Sequence, residues 1–393
     1  MKKKKIGLIL PTSPRNGGEH QYAVFVVTCL LERAGIDYEL IALCGNRFWE
    51  KWCKNAQIRY VGCPFPESSE CKIRLTSMFP KLAAIYDRYM TPLGKAIEKE
   101  QIDLLFSTQQ GVFVPEFGVK FIVPVHDLMH RYEPHFPEVR SALPRRELYM
   151  KYLARHADCI LVDSKLGRRQ YKESYFHKFS RKPHVVSLPY VVPEYIYTTE
   201  EEFIEVPPKY IFYPAQFWKH KNHMNLIKAI RILQTELEDI HLVLVGSEKN
   251  NYREVKRAIR DNGLEHYVTT LGFVSDGKMV YLYKHAVGMV MPTYFGPTNL
   301  PPLEAMALGC PVAVSNNYAM PEQIGRAGLL FDPDSPEEIA DCIKKLWTDD
   351  QLCENLTELG YKRVQRWSKE KFSRRLYQTI HAVLSEQAAK EQG

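Results

Sequence analysis

Two successive series of short, largely apolar runs constrain the fold of this chain more than any other feature. The first series falls at 6–10, 38–43, 58–61, 103–107, 120–125 and 159–162; the second falls at 210–214, 240–246, 267–272, 288–292, 311–315 and 328–331. Stretches with helical spacing separate the runs, as in 224–234, where Leu226, Ile227, Ile230 and Leu233 mark one face. A strand that is apolar throughout, rather than at alternate residues, is buried on both faces. Helices between such strands supply the crossovers that parallel pairing needs. The expectation is therefore an α/β protein with two doubly wound parallel sheets. Between the series, 191–209 carries Pro193, Pro207 and Pro208 with an acidic cluster at 200–202, which reads as a linker. The predicted domains are 1–190 and 210–371. Beyond them, Phe372, Leu376, Ile380, Val383 and Leu384 form the apolar stripe of a last helix, 372–393, that returns to the first domain.

At 393 residues, each half is long enough for its own core, and 25% charged with 45% hydrophobic residues excludes a disordered chain. The formal charge of +7 favours anionic partners without choosing among them. Twelve Lys or Arg against four acids crowd into 140–182, a surface suited to anionic lipid or a phosphate-bearing acceptor, and no nucleic-acid motif accompanies it. Nine cysteines without a CxxC pair fit a reducing cytoplasm. The apolar stretch after the N-terminal lysines is too short for a signal sequence, and no run is long enough to span a bilayer. The expected location is the cytoplasm, with peripheral contact at the inner face of the membrane.

The stretch 291–314, MPTYFGPTNLPPLEAMALGCPVAV, concentrates the chemistry. A strand ends, Gly296, Pro297 and Asn299 make a turn, and Pro301 and Pro302 open a helix that Gly309 and Pro311 stop. Backbone N–H groups at Thr298, Asn299 and Leu300 would face a phosphate at the positive end of that helix. Glu304, one turn in, is placed to accept a sugar hydroxyl. In the first turn of the second series, Lys219 and Lys221 stand among His220, Asn222 and His223, and a lysine at a strand end suits a phosphate. Gly17 and Gly18 form a weaker site-facing loop after the first strand. His126 and Asp127 follow the 120–125 run, at the strand end where open parallel sheets bind ligands. His126 and His130 have i, i+4 spacing, but Asp127 stands where a zincin has Glu and no third ligand follows, so no metal is expected.

These pieces resemble a family-4 glycosyltransferase of the GT-B fold, over nearly the whole chain and most closely from 210 to 334. LPPLEAMALGCPVAVS and MPEQIGRAGLLFDP match the family's donor-domain core. LGFVSDGKMVYLY is similar to the segment whose backbone contacts the nucleobase, here Gly272, Phe273 and Val274. AQFWKHKN resembles the diphosphate-binding turn, NGGEHQYA the N-terminal glycine loop, and VPVHD the strand end whose histidine lies near the transferred sugar. The resemblance implies two Rossmann-like domains facing across a cleft and a nucleoside diphosphate sugar as donor. It further implies retaining transfer of a hexose to an acceptor hydroxyl of a sugar or lipid-linked sugar, in surface polysaccharide or glycan synthesis. No cofactor and no obligatory metal are implied. Lys221 and His126 would be the catalytic pair, with Gly17, Gly18, Gln216, Gly272 to Val274, Thr298 to Leu300 and Glu304 binding donor.

Two positions depart from the family. It carries two glutamates separated by seven residues; Glu304 matches the second, while Gly296 occupies the first. It also carries an arginine five residues before the lysine of the turn, and here that residue is Gln216. The departures motivate a rival, a non-catalytic nucleotide-sugar-binding subunit. A nucleotide-sugar epimerase is a further alternative with two Rossmann-like halves. Neither half has the GxGxxG of a nicotinamide oxidoreductase.

Overall fold

The computed structural model describes residues 3–391 apart from 15–16, 66–84, 87, 112–117, 181 and 297. Cys71, Pro297 and Arg181, used in the sequence argument, therefore lie outside the described residues. The chain divides into two compact units.

The first unit, residues 1–130, 142–188 and 369–393, is built on seven strands: β1 Lys4–Leu10, β2 Tyr38–Cys44, β3 Tyr60–Gly62, β4 Leu104–Ser107, β5 Lys120–Pro124, β6 Cys159–Val162 and β7 His184–Ser187. Their order is β3-β2-β1-β4-β5-β6-β7, and every neighbouring pair is parallel. β7 is the strand the sequence did not suggest. HVVS is only four residues long, closely flanked by Pro183 and Pro189, and it lies at the sheet edge with alternate residues buried. The last helix, Lys369–Glu391, belongs to this unit. Phe372 meets Phe25 edge-on at 4.8 Å, Lys369 pairs with Glu32 at 3.1 Å, and the Tyr377 hydroxyl donates to the Cys29 carbonyl.

The second unit, residues 131–141 and 189–368, has six strands: β8 Ile211–Pro214, β9 Leu242–Val245, β10 Val268–Thr270, β11 Gly288–Met291, β12 Val312–Ser315 and β13 Leu329–Phe331. They run in the order β10-β9-β8-β11-β12-β13, all parallel. Leu242 to Leu244 and Val312 to Val314 are fully buried, as continuous apolar strands between helices must be, at about 1.5–3 kcal/mol for each large side chain.

The expected linker does not behave as one. Ile204 and Val206 pack on this unit's core, the Glu202 N–H donates to the Gly277 carbonyl, and Ser275 Oγ donates to the Glu202 carboxylate at 2.6 Å. The prolines mark bends, and the apolar residues between them still find a core to cover. A second difference is that 131–141, expected in the first domain, clusters with the second unit.

In each sheet the winding direction reverses once, between β1 and β4 and between β8 and β11. The loops leaving the two strands diverge at such a point, opening a crevice at their carboxyl ends.

Candidate functional site

The second sheet's reversal brings together the turn after β8 and the loop after β11. The first is a single 3-10 turn, Lys219–Lys221, and nearly every backbone group around it is committed. The Lys219 N–H donates to Asn250 Oδ1 at 3.0 Å, the His220 N–H to Glu138 Oε1 at 3.1 Å, and the Lys221 N–H to the Trp218 carbonyl at 3.0 Å. On the acceptor side, the His220 carbonyl takes the Tyr294 N–H at 2.8 Å, and the Lys221 carbonyl takes the Tyr213 hydroxyl at 2.8 Å. Asn222 then turns the chain with φ of 56°, and its amide donates to the carbonyls of Pro292 at 3.0 Å and Pro333 at 2.8 Å. The turn is thereby tied to the loops after β11 and β13, and Lys221 projects from a fixed base.

From that base, Lys221 Nζ donates to Asn299 Oδ1 at 3.2 Å. Asn299 is held in turn by Gln323, whose Oε1 accepts the Asn299 N–H at 2.9 Å and whose Nε2 donates to the Asn299 carbonyl at 2.5 Å. The Asn299 N–H is engaged by Gln323, and Pro301 and Pro302 have no N–H, so Leu300 is the residue that brings an N–H to the very start of the helix Leu300–Ala307. Gly296 has φ of 150°, and a Cβ there would lie 2.5 Å from Asn299 Nδ2. The asparagine side chain lies in the space that a side chain at 296 would enter.

Glu304 lies where the helix pattern placed it, but deeper, at 6% exposure. Tyr283 Oη donates to its Oε2 at 2.7 Å. Burial raises its pKa to about 7, and the hydroxyls of Tyr283 and Tyr195 counter only part of that. Gln216 has its amide oxygen committed to Trp218 Nε1 at 2.9 Å. After β10, Gly272 has φ of 68° and gives its carbonyl to the Gly246 N–H at 2.8 Å; Val274 turns into the core and Phe273 stands 84% exposed.

The segment 131–141 reaches the same loops. Glu138 Oε1 accepts from His220 Nδ1 at 2.5 Å as well as from its N–H, and Asn250 Nδ2 donates to Oε2 at 2.7 Å. Burial would raise the Glu138 pKa, but these hydrogen bonds outweigh it and hold it at about 2. Phe136 packs on Tyr294 at 5.7 Å between ring centroids, and the Tyr318 hydroxyl donates to Glu133. Glu138, Asn250, Gln323 and Tyr283 were not singled out from the sequence, because the partner of each is far along the chain.

In the first unit, Gly17 and Gly18 are exposed after β1, at the start of the helix Gly18–Leu31. Gly17 has φ of 58° and ψ of −124°, a conformation for which only glycine is suited. His126 follows β5; its N–H donates to Gln110 Oε1 at 3.1 Å and its ring meets Tyr22 edge-on at 4.9 Å. Burial lowers its pKa to about 4, so the imidazole is neutral at pH 7. Asp127 caps the next short helix by accepting the Met129 N–H at 2.8 Å, and it pairs with Arg146. His130 turns away to the Tyr175 hydroxyl at 3.1 Å and Glu147 at 3.4 Å.

Two doubly wound units, the first completed by the chain's last helix, constitute the GT-B fold of glycosyltransferases. Residues 198–363 match the family described as Glycosyl transferases group 1. The chain is 26% identical to human alpha-1,3/1,6-mannosyltransferase over 310 residues, 68% of this chain and 72% of that protein. It is 30% identical to O-antigen chain mannosyltransferase B of Escherichia coli over 174 residues, 44% of this chain and 45% of the relative. Among solved structures, a glycosyltransferase from Rickettsia africae superposes with a TM-score of 0.71 at 15% identity, covering 98% of this chain and 99% of that one. An Anabaena protein solved in complex with UDP-glucose superposes with a TM-score of 0.70 at 16% identity, covering 96% and 99%. The family match and the relatives support a glycosyltransferase of glycan synthesis and do not favour the binding-subunit or epimerase alternatives.

Proposed function

We propose that this protein transfers a hexose from a nucleoside diphosphate sugar to an acceptor hydroxyl on a sugar or lipid-linked sugar, with retention at the anomeric carbon. The observation that carries this reading is Lys221. It is a cation on a turn whose backbone is fixed, held by Asn299 at the reversal point of the second sheet and beside the start of the Leu300–Ala307 helix. A leaving diphosphate gains charge as its bond to the sugar breaks, and a preorganised cation with a helix N-terminus meets that charge. Glu304 accepts a ribose hydroxyl of the donor, the backbone of Gly272 to Val274 faces the base, and Gln216, Thr298 and the Leu300 N–H complete the diphosphate contacts. Gly17 and Gly18 belong to this proposal as further donor-binding residues.

The chemistry follows from what position 296 lacks. With glycine there, no carboxylate at that position takes the sugar in a covalent intermediate. The acceptor oxygen attacks the anomeric carbon on the face the diphosphate leaves, and the hydroxyl proton passes to the departing phosphate oxygen. His126, neutral at pH 7, orients the transferred sugar as a hydrogen-bonding partner. Lys221 and the helix start meet the diphosphate charge themselves, so turnover is expected to survive EDTA.

The names of the mannosyltransferase relatives make mannose the first hexose to test. Purified protein is incubated with GDP-mannose, UDP-glucose and other nucleotide sugars, with and without a mannoside acceptor, and the products are followed by NMR. Release of nucleoside diphosphate with an α-linked product from an α-linked donor is expected. An inverted linkage would remove the retaining assignment, and interconversion of donor sugars without acceptor would favour an epimerase.

A further inference from the structure

Glu304 is buried, and its neighbours are not those of an ordinary buried acid. Tyr283, fully buried in the helix Asp276–His285, donates its hydroxyl to Glu304 Oε2 at 2.7 Å, and its ring is fixed edge-on against Phe212 of β8 at 5.0 Å. Tyr195, from the short helix Tyr195–Thr198, is a second phenol near enough to act electrostatically on the same carboxyl group. Asp276 is the other charged group that acts on Glu304, and Cys310 is a further titratable group acting on Tyr283. A neutral carboxylic acid has its own O–H to place, whereas a carboxylate only accepts. The Tyr283 phenol donating to the carboxyl group, with Tyr195 close by, therefore favours the carboxylate. A vicinal diol presents two further donors of the kind such an acceptor needs.

We propose that Tyr283 is a positioning residue for donor binding: its phenol fixes the Glu304 carboxylate, which Tyr195 also supports, in the orientation that accepts the ribose hydroxyls of the nucleotide. This rests on Glu304 being the ribose ligand. Burial disfavours the charged carboxylate while the site is empty, so the nucleotide binds with release of a proton from Glu304. Affinity therefore falls as pH drops below the Glu304 titration, approaching tenfold per pH unit. Removing a phenol raises the carboxyl pKa and moves that fall to higher pH.

The test is calorimetric titration of GDP and UDP into the wild type, Tyr283→Phe, Tyr195→Phe and Glu304→Gln over roughly pH 5.5 to 8.5. Each profile is divided by that of Glu304→Gln, which cancels the titration of the nucleotide's own phosphate. Tyr283→Phe keeps the ring against Phe212, and Tyr195→Phe is an independent variant at a half-buried position. The midpoint of the divided profile is expected to rise by about one pH unit in Tyr283→Phe and in the same direction in Tyr195→Phe. Tighter binding at high pH by the wild type, with both variants keeping its midpoint, would overturn the role of the phenols alone. A wild-type profile parallel to that of Glu304→Gln would overturn the proton release. If neither nucleotide binds at any pH, the donor reading fails and this inference with it.

Discussion

Glu304 and Lys221 show how the surroundings of one side chain decide what it does. The Glu304 pKa rises from its ordinary 4.5 to about 7 through burial. Between those values the unfolded chain has released the proton that the folded chain keeps, so stability falls as pH rises through that window. About 3 kcal/mol is forgone above pH 7. Glu304→Gln has no such proton to lose. It is expected to match the wild type near pH 4.5 and to melt higher at pH 8, by differential scanning calorimetry; equal melting temperatures at pH 8 would show that Glu304 is not strained by burial. The positions of Glu304 and Lys221 were legible in the sequence, as a lone carboxylate among apolar helix residues and a lysine in a strand-to-helix turn. The long-range pairings that fix the loops around them were not. Asn299 is paired with Gln323, and His220 meets Glu138 across 82 residues of sequence, and no local period encodes such a meeting. Gly296 was legible as a turn residue, but the Asn299 side chain beside it needed coordinates.

At the scale of elements, the fixed turn after β8 depends on Asn222 more than on either lysine. Its side chain satisfies the carbonyls of Pro292 and Pro333 in a buried setting, and its left-handed backbone suits asparagine better than most residues. Asn222→Ala is expected to lose about 2–3 kcal/mol, from the Pro292 carbonyl left without its donor, the Pro333 carbonyl reduced to its bond from Asn225 Nδ2, and the backbone conformation. Asn222→Gly, which relieves the backbone, should lose less. Chemical denaturation separates the two, and an alanine variant within about 0.5 kcal/mol of wild type would contradict this account of the turn. The strands were the most legible elements, because a strand buried on both faces writes itself as an unbroken apolar run. The edge strand β7 is half-covered and bounded by prolines, so it left no such trace. Residues 191–209 misled in the opposite sense. Their prolines and acids look like a tether, yet Ile204 and Val206 supply enough apolar surface to pack.

For the whole molecule, each unit has its own core, and the chain passes between units at 130/131, 141/142, 188/189 and 368/369. No helix among the described residues is long and apolar enough to cross a membrane. The basic segment 140–182 is proposed to meet anionic lipid. Co-sedimentation with phosphatidylglycerol vesicles should then occur at low salt and disappear at about 0.5 M salt, where the screening length is only a few ångströms; binding that ignores salt would contradict an electrostatic surface. The central claim is that the second unit holds a nucleotide sugar by its diphosphate through Lys221. Its most direct measurement is nucleoside diphosphate release from the donor found to be turned over, compared between wild type and Lys221→Ala at saturating acceptor. The account predicts a fall in kcat/KM of about a hundredfold or more, on the order of 3 kcal/mol of lost transition-state stabilisation, with the folded state unchanged by circular dichroism. Turnover by Lys221→Ala equal to that of the wild type would contradict it.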